Sequence, residues 1–233
     1  MPRTSVFRLF LVALIAAGAF SAAAQPPATP PAPPPLPQAI RWEATIARFE
    51  AADRKNPPPQ GAVLFIGSSS IVKWKTLAQD FPHVKTLNRG FGGSVIADST
   101  RYVSRIVVPY HPRKIVFFAG DNDIGAGRSP FAVAMDFAGF VATVRAGLPD
   151  VPIAFIGIKP SLSRWRLHDA QIKANHLVSD YCSRGTNLTF IDVYSAMLGS
   201  DGKPRPDLFV ADGLHMTPAG YALWTPLVAP FVK

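Results

Sequence analysis

The chain has 233 residues, 48% of them hydrophobic, a formal charge of +9 and a single cysteine, Cys182. One cysteine excludes an intramolecular disulfide and any cysteine-based zinc site, and its place after Tyr181 in a helix-like stretch predicts a buried structural thiol. The positive balance favours approach to anionic envelope polymers or lipid surfaces. Its basic residues are dispersed and no reader motif occurs, so a nucleic-acid partner is not expected.

Residues 1–24 read as a secretory signal peptide. Arg3 and Arg8 give a positive start, Leu9 to Phe20 is an apolar run too short for a good membrane span, and Ala22-Ala23-Ala24 before Gln25 offers small residues for cleavage. A secreted or periplasmic location follows as an expectation, and loss of the two arginines would leave a charge of +7. Residues 25–38 are dominated by proline and form a spacer that cannot pack a core. Residues 39–233, roughly 195 of them, suit one domain with one core.

Within that domain, Trp42, Ile46 and Phe49 recur at helical spacing, predicting a helix that ends before Pro57-Pro58-Pro59. Short β-rich runs then alternate with helix-like segments. The runs are Ala62 to Ile66, His83 to Leu87, Lys114 to Ala119, Pro152 to Ile158 and Leu188 to Ile191. The helical segments are Ile71 to Gln79, Val95 to Ile106, Phe131 to Ala146, Trp165 to Arg184 and Thr217 to Val232. Thr217 caps the last one and Pro218 takes its first turn, while Pro226 and Pro230 are expected to kink or end it. Near-continuous apolar strands alternating with helices predict a parallel sheet of about five strands covered on both faces, an α/β/α sandwich of three layers. Ligands of such sheets bind beyond the carboxyl ends of the strands.

Polar clusters gather at that edge. Gly67-Ser68-Ser69-Ser70 follows the first strand, where a serine serves either as a nucleophile beside a helix N-terminus or as an N-cap. Asn88 to Ser94, with three glycines in four residues, can present a backbone N–H to a ligand or make an ordinary turn. In Gly120-Asp121-Asn122-Asp123, Asn122 can donate its amide to an oxyanion; alternatively Asp121, Asn122 and Asp123 hold a hard cation, or Asp123 caps the next turn. Asp212-Gly213-Leu214-His215 puts a carboxylate three residues before a histidine, so one loop can supply a general base and the group that fixes its tautomer. His83, His111, His168 and His176 have no such partner and read as surface or packing residues.

Taken in order, these clusters resemble the blocks of the SGNH, or GDSL, hydrolase superfamily. Phe65 to Ile71 is similar to its first block, with Ser69 at the nucleophile. Asn88 to Gly93 is similar to the second, with Gly93 at an oxyanion donor, and Gly120 to Asp123 to the third, with Asn122 as side-chain donor. Asp212 to His215, followed by Pro218-Ala219-Gly220-Tyr221, is similar to the fifth. The resemblance runs from about Val63 to Tyr221 and implies a flavodoxin-like fold. It implies hydrolysis of a carboxylic ester through Ser69, His215 and Asp212, with Ser69 N–H, Gly93 N–H and Asn122 forming the oxyanion hole. The expected substrate is an ester of short acyl groups, such as acetyl on carbohydrate, or an acylated lipid, with no cofactor and no metal. Two positions depart from the pattern: Ser68 stands where an aspartate usually precedes the nucleophile, and Ser94 where an acidic residue often follows the glycines. Ser68 keeps open a catalytically silent carbohydrate- or envelope-binding module. The acidic third cluster keeps open a metal-dependent phosphohydrolase.

Overall fold

In the computed structural model the described residues are 41–233, so the expected signal peptide and the whole of the proline-rich spacer lie outside them. Five strands form one sheet: β1 (Val63–Gly67), β2 (Thr86–Gly90), β3 (Lys114–Phe118), β4 (Ile153–Ile156) and β5 (Leu188–Ile191). Their order is β2-β1-β3-β4-β5, and every neighbouring pair is parallel. This is the flavodoxin-like order, with its switch point between β1 and β3.

Alternation of side chains along each strand feeds two cores, which explains why the strands read as continuous apolar runs. Leu64, Ile66, Ile115, Phe117, Ile153 and Phe155 face one side. There they pack against α1 (Glu43–Lys55), α4 (Ile96–Arg101), α5 (Val103–Ile106), α7 (Pro130–Gly147) and α8 (His168–Arg184). Val63, Phe65, Val116, Phe118, Ala154 and Ile156 face the other side, covered by α2 (Ser69–Val72), α3 (Leu77–Asp80) and α9 (Pro218–Val232). A short helix, α6 (Asp121–Gly125), follows β3. Cys182 is buried on α8, and burial pushes its thiol up to about 12, as expected of a structural cysteine.

Several sequence expectations need correction, among them the single helical segment Val95 to Ile106, which is two short helices, α4 and α5, broken at Tyr102. The second strand begins three residues later than its apolar run suggested, so Asn88, Arg89 and Gly90 are strand residues rather than loop. Their side chains serve the frame: Asn88 Nδ2 donates to the Ile71 carbonyl at 2.6 Å, while the Arg89 guanidinium sits on Asp53 of α1 and donates to Tyr110 Oη at 2.9 Å. The segment after β1 is not one helix but two four-residue pieces, so the dipole behind Ser69 is that of a single turn and weak. Finally, α9 continues through Pro226 and Pro230. Each proline removes one backbone donor, yet Tyr221, Trp224, Val228 and Val232 recur on a single buried face and hold the helix against the sheet.

Candidate active site

β1 delivers the first cluster to the carboxyl edge of the sheet. Gly67 has φ 135°, and a Cβ there would stand 1.9 Å from the Phe118 carbonyl oxygen, so only glycine fits where the β1 and β3 ends converge. The same approach lets Ser68 N–H donate to that carbonyl at 2.8 Å. Ser68 occupies the N-cap position of α2, but its hydroxyl makes no capping bond. Ser68 and Ser70 are both buried, at 2% exposure, whereas Ser69 is half-buried. The Ser70 carbonyl accepts a hydrogen bond from Tyr221 Oη at 2.9 Å, which joins this turn to α9.

The last cluster meets the first across 146 positions of sequence: His215 Nε2 lies 3.1 Å from Ser69 Oγ. On the opposite side of the ring, His215 Nδ1 lies 2.6 Å from Asp212 Oδ2. Asp212 Oδ1 accepts the backbone N–H groups of Leu214 and His215, each at 2.9 Å. These bonds, the His215 ring first and its backbone N–H next, outweigh burial and hold the Asp212 carboxyl well below the usual carboxylate range. An ionised carboxylate at Nδ1 fixes the tautomer in which Nε2 is a proton acceptor.

Gly93 has φ 81° and belongs to a loop pinned to the first turn by Phe91 N–H donating to the Gly67 carbonyl at 2.9 Å. Among the described residues, no group accepts from the Ser69 or Gly93 N–H. Asn122 Nδ2 donates to the Ser94 carbonyl at 3.0 Å, holding the third cluster beside Gly93 and leaving the second amide hydrogen for a ligand. Ser94, where an acidic residue was the usual expectation, is fully buried.

The acidic groups of the third cluster are engaged by protein donors. Asp123 accepts the Gly120 and Ile96 N–H groups, each at 3.1 Å, and burial raises its carboxyl to about 6. Asp121 meets Arg164 Nη1 at 3.0 Å, Lys159 Nζ at 3.6 Å and Gln171 Nε2 at 3.2 Å. A hard cation would have to displace these donors, so the cluster does not fit a metal site. Of the remaining histidines, His168 stacks on Trp165 with ring centroids 4.5 Å apart, a packing role.

Sequence reading overlooked the segment between β4 and α8. Lys159, fully buried, has its pKa pulled down chiefly by burial, with Asp121 opposing. Ser163 N–H donates to the Gly213 carbonyl at 3.0 Å, and Arg164 Nη2 donates to Asn122 Oδ1 at 3.1 Å. The one signal available was position, because this segment leaves the carboxyl end of a strand as the other clusters do.

Comparison with known proteins gives consistent results. Among solved structures, a Streptococcus pneumonia protein provisionally described as a platelet activating factor superposes with a TM-score of 0.74 at 18% identity, covering 82% of this chain and 92% of that one. A GDSL-like lipase from Bacteroides thetaiotaomicron gives a TM-score of 0.68 at 20% identity, covering 81% and 97%. A variant of a Geobacillus acetyl-xylooligosaccharide esterase gives 0.60 at 14% identity, covering 75% and 95%. At these identities the likeness shows a shared fold. No curated protein matches the chain. Residues 66–223, more than half of the sequence and spanning all four clusters, match the GDSL-like lipase/acylhydrolase family model, and the chain belongs to that family.

Proposed function

We propose that the protein is an exported serine esterase that removes short acyl groups, acetyl first among them, from carbohydrate. The observation that carries the reading is the His215 ring, 3.1 Å from the Ser69 hydroxyl on one side and 2.6 Å from Asp212 on the other. His215 Nε2 takes the Ser69 proton as Oγ attacks the ester carbonyl carbon. The carbonyl electron pair moves to oxygen, where Ser69 N–H, Gly93 N–H and the Asn122 amide receive it. Collapse of this adduct expels the alcohol, which takes the proton back from His215, and leaves an acyl-serine. Water then attacks with His215 again as base, releasing the carboxylic acid and free Ser69.

Support for small acyl groups comes from structural neighbours described as acetyl esterases, one of which carries an acetate ion. Support for export comes from the composition of residues 1–24. An exported protein whose intact mass begins at Gln25 agrees with a cleaved leader; retention of Met1 to Ala24 does not. The catalytic reading is tested with aryl esters from acetyl to palmitoyl and with acetylated xylooligosaccharide. Turnover is expected to be highest for acetyl and lost in Ser69→Ala. Activity that survives Ser69→Ala would overturn the nucleophile, and no turnover of any ester by the intact chain would favour a silent binding module.

A further inference from the structure

We infer that Arg164 is a positioning residue of the oxyanion hole, acting through the Asn122 side chain. The inference rests on the proposed role of Asn122 as an oxyanion donor. Arg164 stands at the end of the segment leaving β4, and its guanidinium spans two neighbouring residues of α6. Nη1 donates to the Asp121 carbonyl at 2.9 Å and meets the Asp121 carboxylate at 3.0 Å, while Nη2 donates to Asn122 Oδ1 at 3.1 Å. The side chain is 23% exposed, so the contact is largely shielded from water. Its guanidinium carbon lies 3.1 Å from where a Cβ on Gly125 would sit, so the absence of a side chain at Gly125 leaves the space that the fork occupies.

A primary amide has an accepting end and a donating end, and catalysis needs the donating end turned towards the developing charge. Arginine has five donors and no acceptor, so Oδ1 is the one end of Asn122 that can face it. The Ser94 carbonyl, an acceptor, requires Nδ2 on its side. Turning the amide over would set NH₂ against a guanidinium and a carbonyl oxygen against another oxygen. Two unlike neighbours therefore fix a choice that geometry alone leaves open. A cation bound to the amide oxygen also draws electron density from the nitrogen, strengthening its remaining N–H as a donor. Asp121 balances the charge of Arg164 and anchors the fork, so the guanidinium works as an orienter more than as a free positive charge. Next to it, Ser163 binds the Gly213 carbonyl through its N–H and, at 3.3 Å, its hydroxyl. One dipeptide thus links the asparagine to the loop carrying the histidine.

The test is a double-mutant cycle on an aryl acetate with Arg164→Ala, Asn122→Ala and the double variant, folding being checked by circular dichroism. Arg164→Ala is expected to lower kcat by about 10–10²-fold, with little change in KM, because misplacing a catalytic group is felt in the transition state. In the Asn122→Ala background the same change is expected to cost less than about threefold, since its target is gone. Arg164→Lys keeps the charge but cannot bridge both partners; it should lose kcat nearly as Arg164→Ala does, and serves as the test if Arg164→Ala fails to fold. With Arg164→Lys in its place, the cycle reads the same coupling. Equal losses in both backgrounds, or an unchanged kcat, would overturn the inference. An Asn122→Ala variant with full activity would instead remove the oxyanion role on which it rests.

Discussion

Ser68, Ser69 and Ser70 share one turn, yet their surroundings separate them. Ser68 and Ser70 are buried into the frame, and the hydroxyl of Ser69 faces an imidazole. The family resemblance placed the nucleophile at Ser69, but the local sequence left the three open, since the choice depended on which hydroxyl the turn presents to a loop 146 residues away. The spacing of Asp212 and His215, by contrast, was legible because both lie in one short loop. Their chemistry sets a pH dependence. Only neutral imidazole accepts the serine proton, so kcat/KM should fall as the solution is made acid. Asp212, held well below the usual carboxylate range, stays ionised in more acid solution than an ordinary aspartate does. A rate that does not fall towards acid would contradict the base role of His215. At Asn122, loss of one oxyanion donor predicts a fall of about 10²–10³ in kcat for Asn122→Ala, with its melting curve showing a folded protein. Unchanged turnover would remove Asn122 from the reaction.

At the scale of elements, α6 shows how a short motif is held. The Asp123 carboxylate closes its first turn through Gly120 N–H and reaches Ile96 N–H at the start of α4. Sequence reading allowed for the cap but not for the tie to α4, which joins residues 27 apart. Burial raises this carboxyl to about 6, above the ~3.9 of an unfolded aspartate. Between those values the folded protein holds the proton that the unfolded chain releases, so this group's contribution to stability declines as pH rises from about 4 to 6. The stability difference between the native protein and Asp123→Asn should therefore shrink over that window, as read from chemical denaturation at each pH. A difference independent of pH would mean that Asp123 does not titrate there. The strands themselves were readable from apolar runs, and β2 was displaced because its last residues are polar. Asn88 and Arg89 are in the strand because their side chains find partners on α2, α1 and Tyr110, and no local pattern announces such partners. Arg164 escaped notice for the same reason.

Across the whole molecule, the sheet order places β1 and β3 side by side, so the turns after them open on one crevice. The second loop is pinned to the first by Phe91 N–H on the Gly67 carbonyl, and the third to the second by Asn122 on the Ser94 carbonyl. The histidine loop arrives last and is fastened from two directions, by Ser163 on Gly213 and by α9, whose Tyr221 binds the Ser70 carbonyl. Alternation of strands and helices was enough to foresee three layers, because a parallel sheet must bury both faces. Bringing the two ends of the domain together depends on the packing of Tyr221 and Trp224 around Trp74, with ring centroids 5.3 and 6.0 Å from it, a long-range arrangement that periodicity does not encode. In the proposed reaction this packing brings Ser69 to His215, which drives it as the nucleophile. Labelling with a fluorophosphonate, followed by mass spectrometry of the peptides, reads out whether it does. Phosphonylation of Ser69 in the native protein and its loss in His215→Ala is the predicted result, whereas labelling at another residue, or labelling indifferent to His215, would contradict it.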